Sequence, residues 1–128
     1  MADYRDLPDY SKQKRNEQLE RRMLLFAVKT IQALKNFNSI PRSVADQLTR
    51  SSGSVGANYA EACNASSKLD FRNKIYTSKK EAAESRYWID LCRELTADDA
   101  WLSLRQEVQE LILILQTIIN SMKSGSAK

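Results

Sequence analysis

Helix breakers are scarce in this chain: three Gly and two Pro in 128 residues. A β fold of this size would need a turn signal roughly every 8–12 residues. The sequence is therefore restricted to a few long helices. One stretch challenges that reading. Ser51-Ser-Gly-Ser-Val-Gly56 packs two Gly and three Ser into six positions, and each Gly costs a helix about 1 kcal/mol relative to Ala. Yet Val44, Leu48, Val55, Tyr59 and Ala62 recur at helical steps on either side of it and through it, so one apolar face continues unbroken. A single helix with a thin waist, which another helix can approach closely, accounts for both facts. A phosphate loop does not. Gly53-x-x-Gly56 matches neither G-x-G-x-x-G nor G-x-x-x-x-G-K-[ST], and no β-type segment precedes it.

The remaining helices follow in order. Residues 1–10 carry Asp3, Asp6, Pro8 and Asp9 with little periodicity and read as a flexible lead-in. A bundle spans 11–123, and 124–128 form a disordered tail. The first helix starts near Ser11. Leu19, Met23, Phe26, Thr30, Ala33 and Phe37 mark its core face, and Leu24, Ala27, Ile31 and Leu34 widen it. It ends between Asn36 and Asn38, ahead of Pro41, which biases Ile40 away from helical geometry and suits the first turn of the helix over 42–65. Ser67-x-x-Asp70 resembles a capping box and opens the third helix. That helix shows two apolar faces: Phe71, Ile75, Ala82, Ile89 and Cys92, and then Leu69, Tyr76, Ala83, Tyr87 and Leu91. Thr96-x-x-Asp99 signals the start of the fourth, whose heptads run Trp101, Leu104, Val108, Leu111, Leu115, Ile118, Met122. Short connections between four long helices predict an all-α, antiparallel up-down four-helix bundle.

Composition removes several chemistries. With no His, Ser-His-Asp and Cys-His systems, His-ligated zinc and the Glu-x-x-His pairs of di-iron bundles are excluded. Cys63 and Cys92 stand alone and read as two buried thiols in a reducing cytoplasm. The polar start, Met1-Ala-Asp-Tyr-Arg-Asp, lacks an apolar signal core. Leu111-Ile-Leu-Ile-Leu115 falls far short of the roughly 20 residues of a membrane span. We expect a cytoplasmic protein that is not an enzyme and holds no cofactor or metal.

Charge is unevenly placed. Between Lys12 and Arg93 there are sixteen Lys or Arg against eight Asp or Glu, while outside that span four stand against eight. Arg72, Lys79, Arg86 and Arg93 recur every seven residues as a slowly drifting basic stripe. With Arg21 and Arg22 they are candidate phosphate contacts. The competing explanation is a solvated face, or a set of cross-subunit salt bridges to the acidic fourth helix. Arg50, Asn58, Glu61, Glu81 and Glu84 are expected to form a polar network that fixes helix register; a carboxylate metal site is the less economical alternative.

Four segments also resemble one known family: Gln47-Leu-Thr-Arg-Ser-Ser52, Ser54-Val-Gly-Ala-Asn-Tyr-Ala-Glu-Ala62, Lys68-Leu-Asp-Phe-Arg-Asn-Lys-Ile75 and Lys79-Lys-Glu-Ala-Ala-Glu-Ser-Arg-Tyr-Trp-Ile89. These are similar to the small bacterial four-helix bundle proteins first noticed as reading frames within intervening sequences of 23S rRNA genes. The resemblance runs from about Phe26 to Leu95 and implies a bundle without enzymatic activity. A more distant similarity is to the accessory variability determinant of diversity-generating retroelements, a pentameric barrel that binds a reverse transcriptase and nucleic acid.

The expectation is thus an oligomeric helical module that binds RNA or DNA, or scaffolds a nucleic-acid enzyme such as a reverse transcriptase, through basic helix surfaces. The alternative is a protein-assembly module with no nucleic-acid role. Apolar side chains beyond one bundle seam, Tyr76, Tyr87, Ile112 and Leu113, are expected to lie partly in water in a monomer. They would meet another copy through two different faces, a heterologous contact that can close into a ring; the resemblance implies a ring of five.

Overall fold

A computed structural model describes residues 10–126 of the chain, with side chains from Asn16 to Lys123. The expected flexible lead-in falls, but for Tyr10, outside the described residues. Four helices follow one another: α1 (Tyr10–Leu34), α2 (Arg42–Cys63), α3 (Lys68–Thr96) and α4 (Trp101–Ser126). No strand occurs among the described residues.

Cross-helix bonds fix the directions. Ser85 bonds Ser51, Ser78 bonds the carbonyl of Val55, and Lys74 pairs with Glu61, so numbers rise along α2 as they fall along α3. Asp90, Arg86 and Lys79 meet Arg105, Gln109 and Gln116 in the same opposed order across α3 and α4. Among the described residues, contacts join α1 to α2, α2 to α3, α3 to α4 and α4 back to α1, with none across the diagonals. The chain is an antiparallel four-helix bundle.

The core is the one the periodicity marks. Met23, Phe26, Leu48, Val55, Ile75, Ile89, Trp101, Val108, Leu111 and Leu115 are fully buried, and removing such side chains from water is worth about 1.5–3 kcal/mol each. The serine and glycine stretch is helical throughout, with Ser51 and Ser52 buried. Its two glycines differ. A Cβ on Gly56 would stand 3.3 Å from Met23 Cβ and 3.7 Å from the Met23 carbonyl carbon, so Gly56 admits α1; a Cβ on Gly53 would meet nothing within 4 Å. The α2–α3 approach rests instead on serines: Ser85 Oγ donates to Ser51 Oγ at 2.8 Å, and Ser78 Oγ donates to the Val55 carbonyl at 2.7 Å.

The ends depart from expectation in physical detail. α1 stops at Leu34, where Asn36 and Phe37 turn back onto the carbonyls of Ala33 and Leu34. Pro41 is the N-cap of α2 rather than its first helical residue. Ser67 does cap α3, its hydroxyl accepting from the Asp70 amide at 3.0 Å. Thr96 does not open α4. It is the last residue of α3, its hydroxyl spent on the Cys92 carbonyl, and Ala97 then turns left-handed at φ 51°. Asp98 Oδ1 accepts from the Ala100 amide at 2.7 Å in the turn that leads into α4. α4 runs through Ser126, past the point where the sequence places a tail.

Candidate functional site

The basic stripe of α3 lies against α4, and most of it is already bonded. Arg86 Nη1 donates to Gln109 Oε1 at 2.6 Å, and Lys79 Nζ donates to Gln116 Oε1. Arg93 pairs with Asp99 at 3.4 Å. Arg72 alone in the stripe stays exposed, its guanidinium 5.7 Å from the Tyr76 ring centre. On α1, Arg22 forks onto Glu107 and Glu110 of α4, each at 2.7 Å. That bond holds the Glu107 carboxyl below its ordinary range and raises the Arg22 guanidinium above its own. Arg21 is exposed. The six candidates therefore divide: Lys79, Arg86 and Arg22 knit helices together, Arg93 ties α3 to the connection that follows it, and Arg21 and Arg72 face water. Within the chain, the stripe meets α4 through the glutamines Gln109 and Gln116, and Arg93 pairs with Asp99 in the α3–α4 connection.

The expected polar network splits in three. Arg50 of α2 reaches Glu81 at 3.1 Å and also Glu84 of α3, and Glu84 accepts from Trp88 Nε1 at 3.1 Å. The bond that Arg50 donates to Glu84 is the main reason its guanidinium holds its proton more firmly. Asn58 belongs elsewhere: it donates to the Ser54 carbonyl of its own helix. Glu61 pairs with Lys74 at 2.7 Å, a partner the sequence did not disclose. Half-exposed side chains form these clusters, because their long stems carry the charges to the rim. Among the described residues, the side-chain polar atoms inside the bundle include the hydroxyls of Thr30, Ser51, Ser52, Ser78 and Ser85 and the indole Nε1 of Trp101.

The four assembly candidates are not equivalent. Ile112 is a correction: it is only 8 % exposed and belongs to the core, since it sits within one helical step of Val108 and Leu115 on the buried side. Tyr87 and Leu113 are 61 % and 57 % exposed, and Tyr76 is half-buried. Arg86 bonds Gln109 and Lys79 bonds Gln116, so Tyr76, Tyr87 and Leu113 share one outward α3–α4 face rather than two. A second apolar patch lies where none was expected. Leu24, read as core, is 51 % exposed, and Leu25 and Val28 beside it also face water. The visible signal was a stripe on α1 too wide for one seam. α1 lies diagonally across from α3, which sets the two patches on different sides of the bundle.

Two concave features accompany these faces. An open cleft of about 710 Å³ lies where the start of α3 meets the ends of α2 and α4, and a smaller one of about 350 Å³ lies between α1 and α4 beside Arg22 and Glu107. Among the described residues no group of three or more His, Cys, Asp or Glu could hold a metal ion, and no helix is long and apolar enough to cross a membrane. Cys92 is buried and its thiol is pushed up to about 11 by burial, whereas Cys63 is exposed. Burial likewise holds the Tyr59 phenol above its ordinary range, and its hydroxyl donates to Asn16 at 3.3 Å.

Comparison with known proteins gives one family and one informative structure. The family described as 23S rRNA-intervening sequence protein matches residues 10–117. A crystal structure from Bacteroides thetaiotaomicron, a protein of unknown function from the S23 ribosomal protein family, is 31 % identical. The match covers 79 % of this chain and 97 % of that one, with a TM-score of 0.73. No curated protein matches.

Proposed function

Because the chain belongs to the 23S rRNA-intervening sequence protein family, we propose that it acts without catalysis, as a helical module that assembles with further copies of itself and presents the assembly to a partner. The observation that carries this reading is the pair of apolar patches. Leu24, Leu25 and Val28 on α1 and Tyr76, Tyr87 and Leu113 on α3–α4 lie at different sides of one bundle. A patch on one copy covering the other patch on the next is a heterologous contact, which closes into a ring when its rotation permits. Each large apolar side chain covered is worth about 1.5–3 kcal/mol. Several of them at a joint are needed to outweigh the roughly 4–15 kcal/mol that association costs. The ring of five implied by the resemblance is the assembly to test first.

Nucleic-acid binding is the second reading, favoured by one observation: Arg21, Lys29, Lys35, Lys68, Arg72 and Lys80 are exposed on a chain of formal net charge +4. The stripe itself contributes less than its spacing implies, since Lys79, Arg86 and Arg93 are bonded within the bundle. Retardation of generic RNA across a salt series separates the readings. Assembly with no retardation at low salt supports the first alone. Retardation that falls steeply with salt and is lost in Arg21→Glu with Arg72→Glu adds the second.

A further inference from the structure

Basic side chains along the α2–α3 junction are matched by acids until its last turn. Arg50 has Glu81 and Glu84, and Lys74 has Glu61. Beyond them, at the pole where α3 begins, Lys68 and Arg72 line the larger cleft, and no carboxylate among the described residues forms an ion pair with either. Among the described residues no Asp or Glu lines that cleft; Asp70, in the same turn, lies outside it. Its apolar surface comes from Ala62, Leu69, Phe71 and Met122. Leu69 is 65 % exposed, which the helix start does not require, because Ser67 already caps it. The volume of about 710 Å³ falls in the range of ligand-sized pockets.

We propose that this polar cleft is a docking site for an acidic peptide segment carrying bulky apolar side chains. Lys68 and Arg72, one helical turn apart, would pair with its carboxylates, while an apolar side chain seats on Leu69, Phe71 and Met122. Two cations and an apolar floor suit such a segment better than a phosphate chain, whose affinity comes from many cations in a row. The site is separate from the α1 and α3–α4 patches and does not depend on assembly through them. In a ring, every copy would present its cleft toward the same rim, so a partner with several such segments would gain from multivalency.

The test uses the full chain and a fluorescein-labelled heptapeptide of Asp alternating with Leu and Phe, followed by anisotropy. Saturable binding is expected, weakening with salt. Lys68→Glu with Arg72→Glu should weaken it by about tenfold or more, as expected when charged partners of a docked segment are reversed. Leu69→Ser, an exposed change that leaves the core untouched, should weaken it too. The same peptide with Lys in place of Asp should not bind. Light scattering on each variant should return the mass of the unaltered protein, which separates loss of docking from loss of assembly. The proposal is overturned by absent binding, by equal binding of the Lys peptide, by binding unchanged in the variants, or by an RNA oligomer of equal charge displacing the peptide at lower concentration.

Discussion

Arg86 donates to Gln109 at 2.6 Å across the α3–α4 junction. The guanidinium that a seven-residue spacing would offer to phosphates is thereby engaged, and Lys79 is engaged one heptad earlier by Gln116. Arg86→Ala with Lys79→Ala should lower stability by about 1–3 kcal/mol, the worth of two charged hydrogen bonds discounted for partial exposure. Chemical denaturation measures that loss. RNA retardation, where present, should be little changed by the pair, and a large loss of RNA affinity would return these residues to the contact surface.

The two glycines of α2 should respond in opposite directions. Gly53 is exposed in a helix interior with open space around it, so Gly53→Ala should stabilise by about 0.4–1 kcal/mol through the unfolded chain. Gly56 faces Met23 of α1, and Gly56→Leu should cost about 1–3 kcal/mol by overpacking. Thermal melts of both variants provide the comparison; equal shifts would place Gly56 outside the α1–α2 joint.

Ser51 and Ser85 form a buried hydroxyl pair. Each hydroxyl also has a carbonyl of its own helix to donate to, Ser85 to Glu81 and Ser51 to Leu48, so either serine changed to Ala should cost only about 0.5–1.5 kcal/mol. Changing both together should cost less than the sum of the singles, a coupling of about 0.5 kcal/mol or more in a double-mutant cycle. Strict additivity would mean the bond carries no net energy.

Glu107 links α4 to Arg22 of α1, and its carboxyl is held below the ordinary value of 4.5 mainly by that hydrogen bond. A lowered folded-state value gives stability that is present above about pH 4.5 and is lost as pH falls through the folded-state value. Arg22 titrates far above working pH and adds no second window. Glu107→Gln should therefore reduce stability at pH 7, by no more than about 1 kcal/mol for so exposed a pair. It should also shallow the acid limb of the stability curve, so that the two proteins converge at low pH. Parallel curves would show that the ion pair contributes nothing.

Sequence periodicity reported backbone and core well, because burial on one helix face leaves a mark every three or four residues. Leu48, Val55, Ile75, Ile89, Val108 and Leu115 are buried where their spacing places them, and even the glycine-rich waist reads as helix. Side-chain partners were less legible. Arg50 with Glu81 and Glu84 was within reach of helical arithmetic, but Glu61 with Lys74 required knowing the α2–α3 register, which small side chains at Ser51, Ser78 and Ser85 set. Spacing could not say that Gln109 and Gln116 would meet the basic stripe, since glutamines carry no charge to flag them. Width misled twice. Ile112 looked surplus to α4 and is core, while Leu24 looked like core and faces water, because the sparser packing of α1 leaves part of its broad apolar stripe uncovered.

Assembly through two patches is the central claim, and mass in solution tests it most directly. Leu25→Glu and Leu113→Lys each alter one exposed side chain, on α1 and α4 respectively, so both variants should keep their helicity. Multi-angle light scattering should return several subunits per particle for the unaltered protein, five if the ring is closed as proposed, and a fall toward the monomer for each variant. A monodisperse monomer of 14.6 kDa at micromolar concentration would contradict the account, as would an oligomer whose mass neither substitution changes.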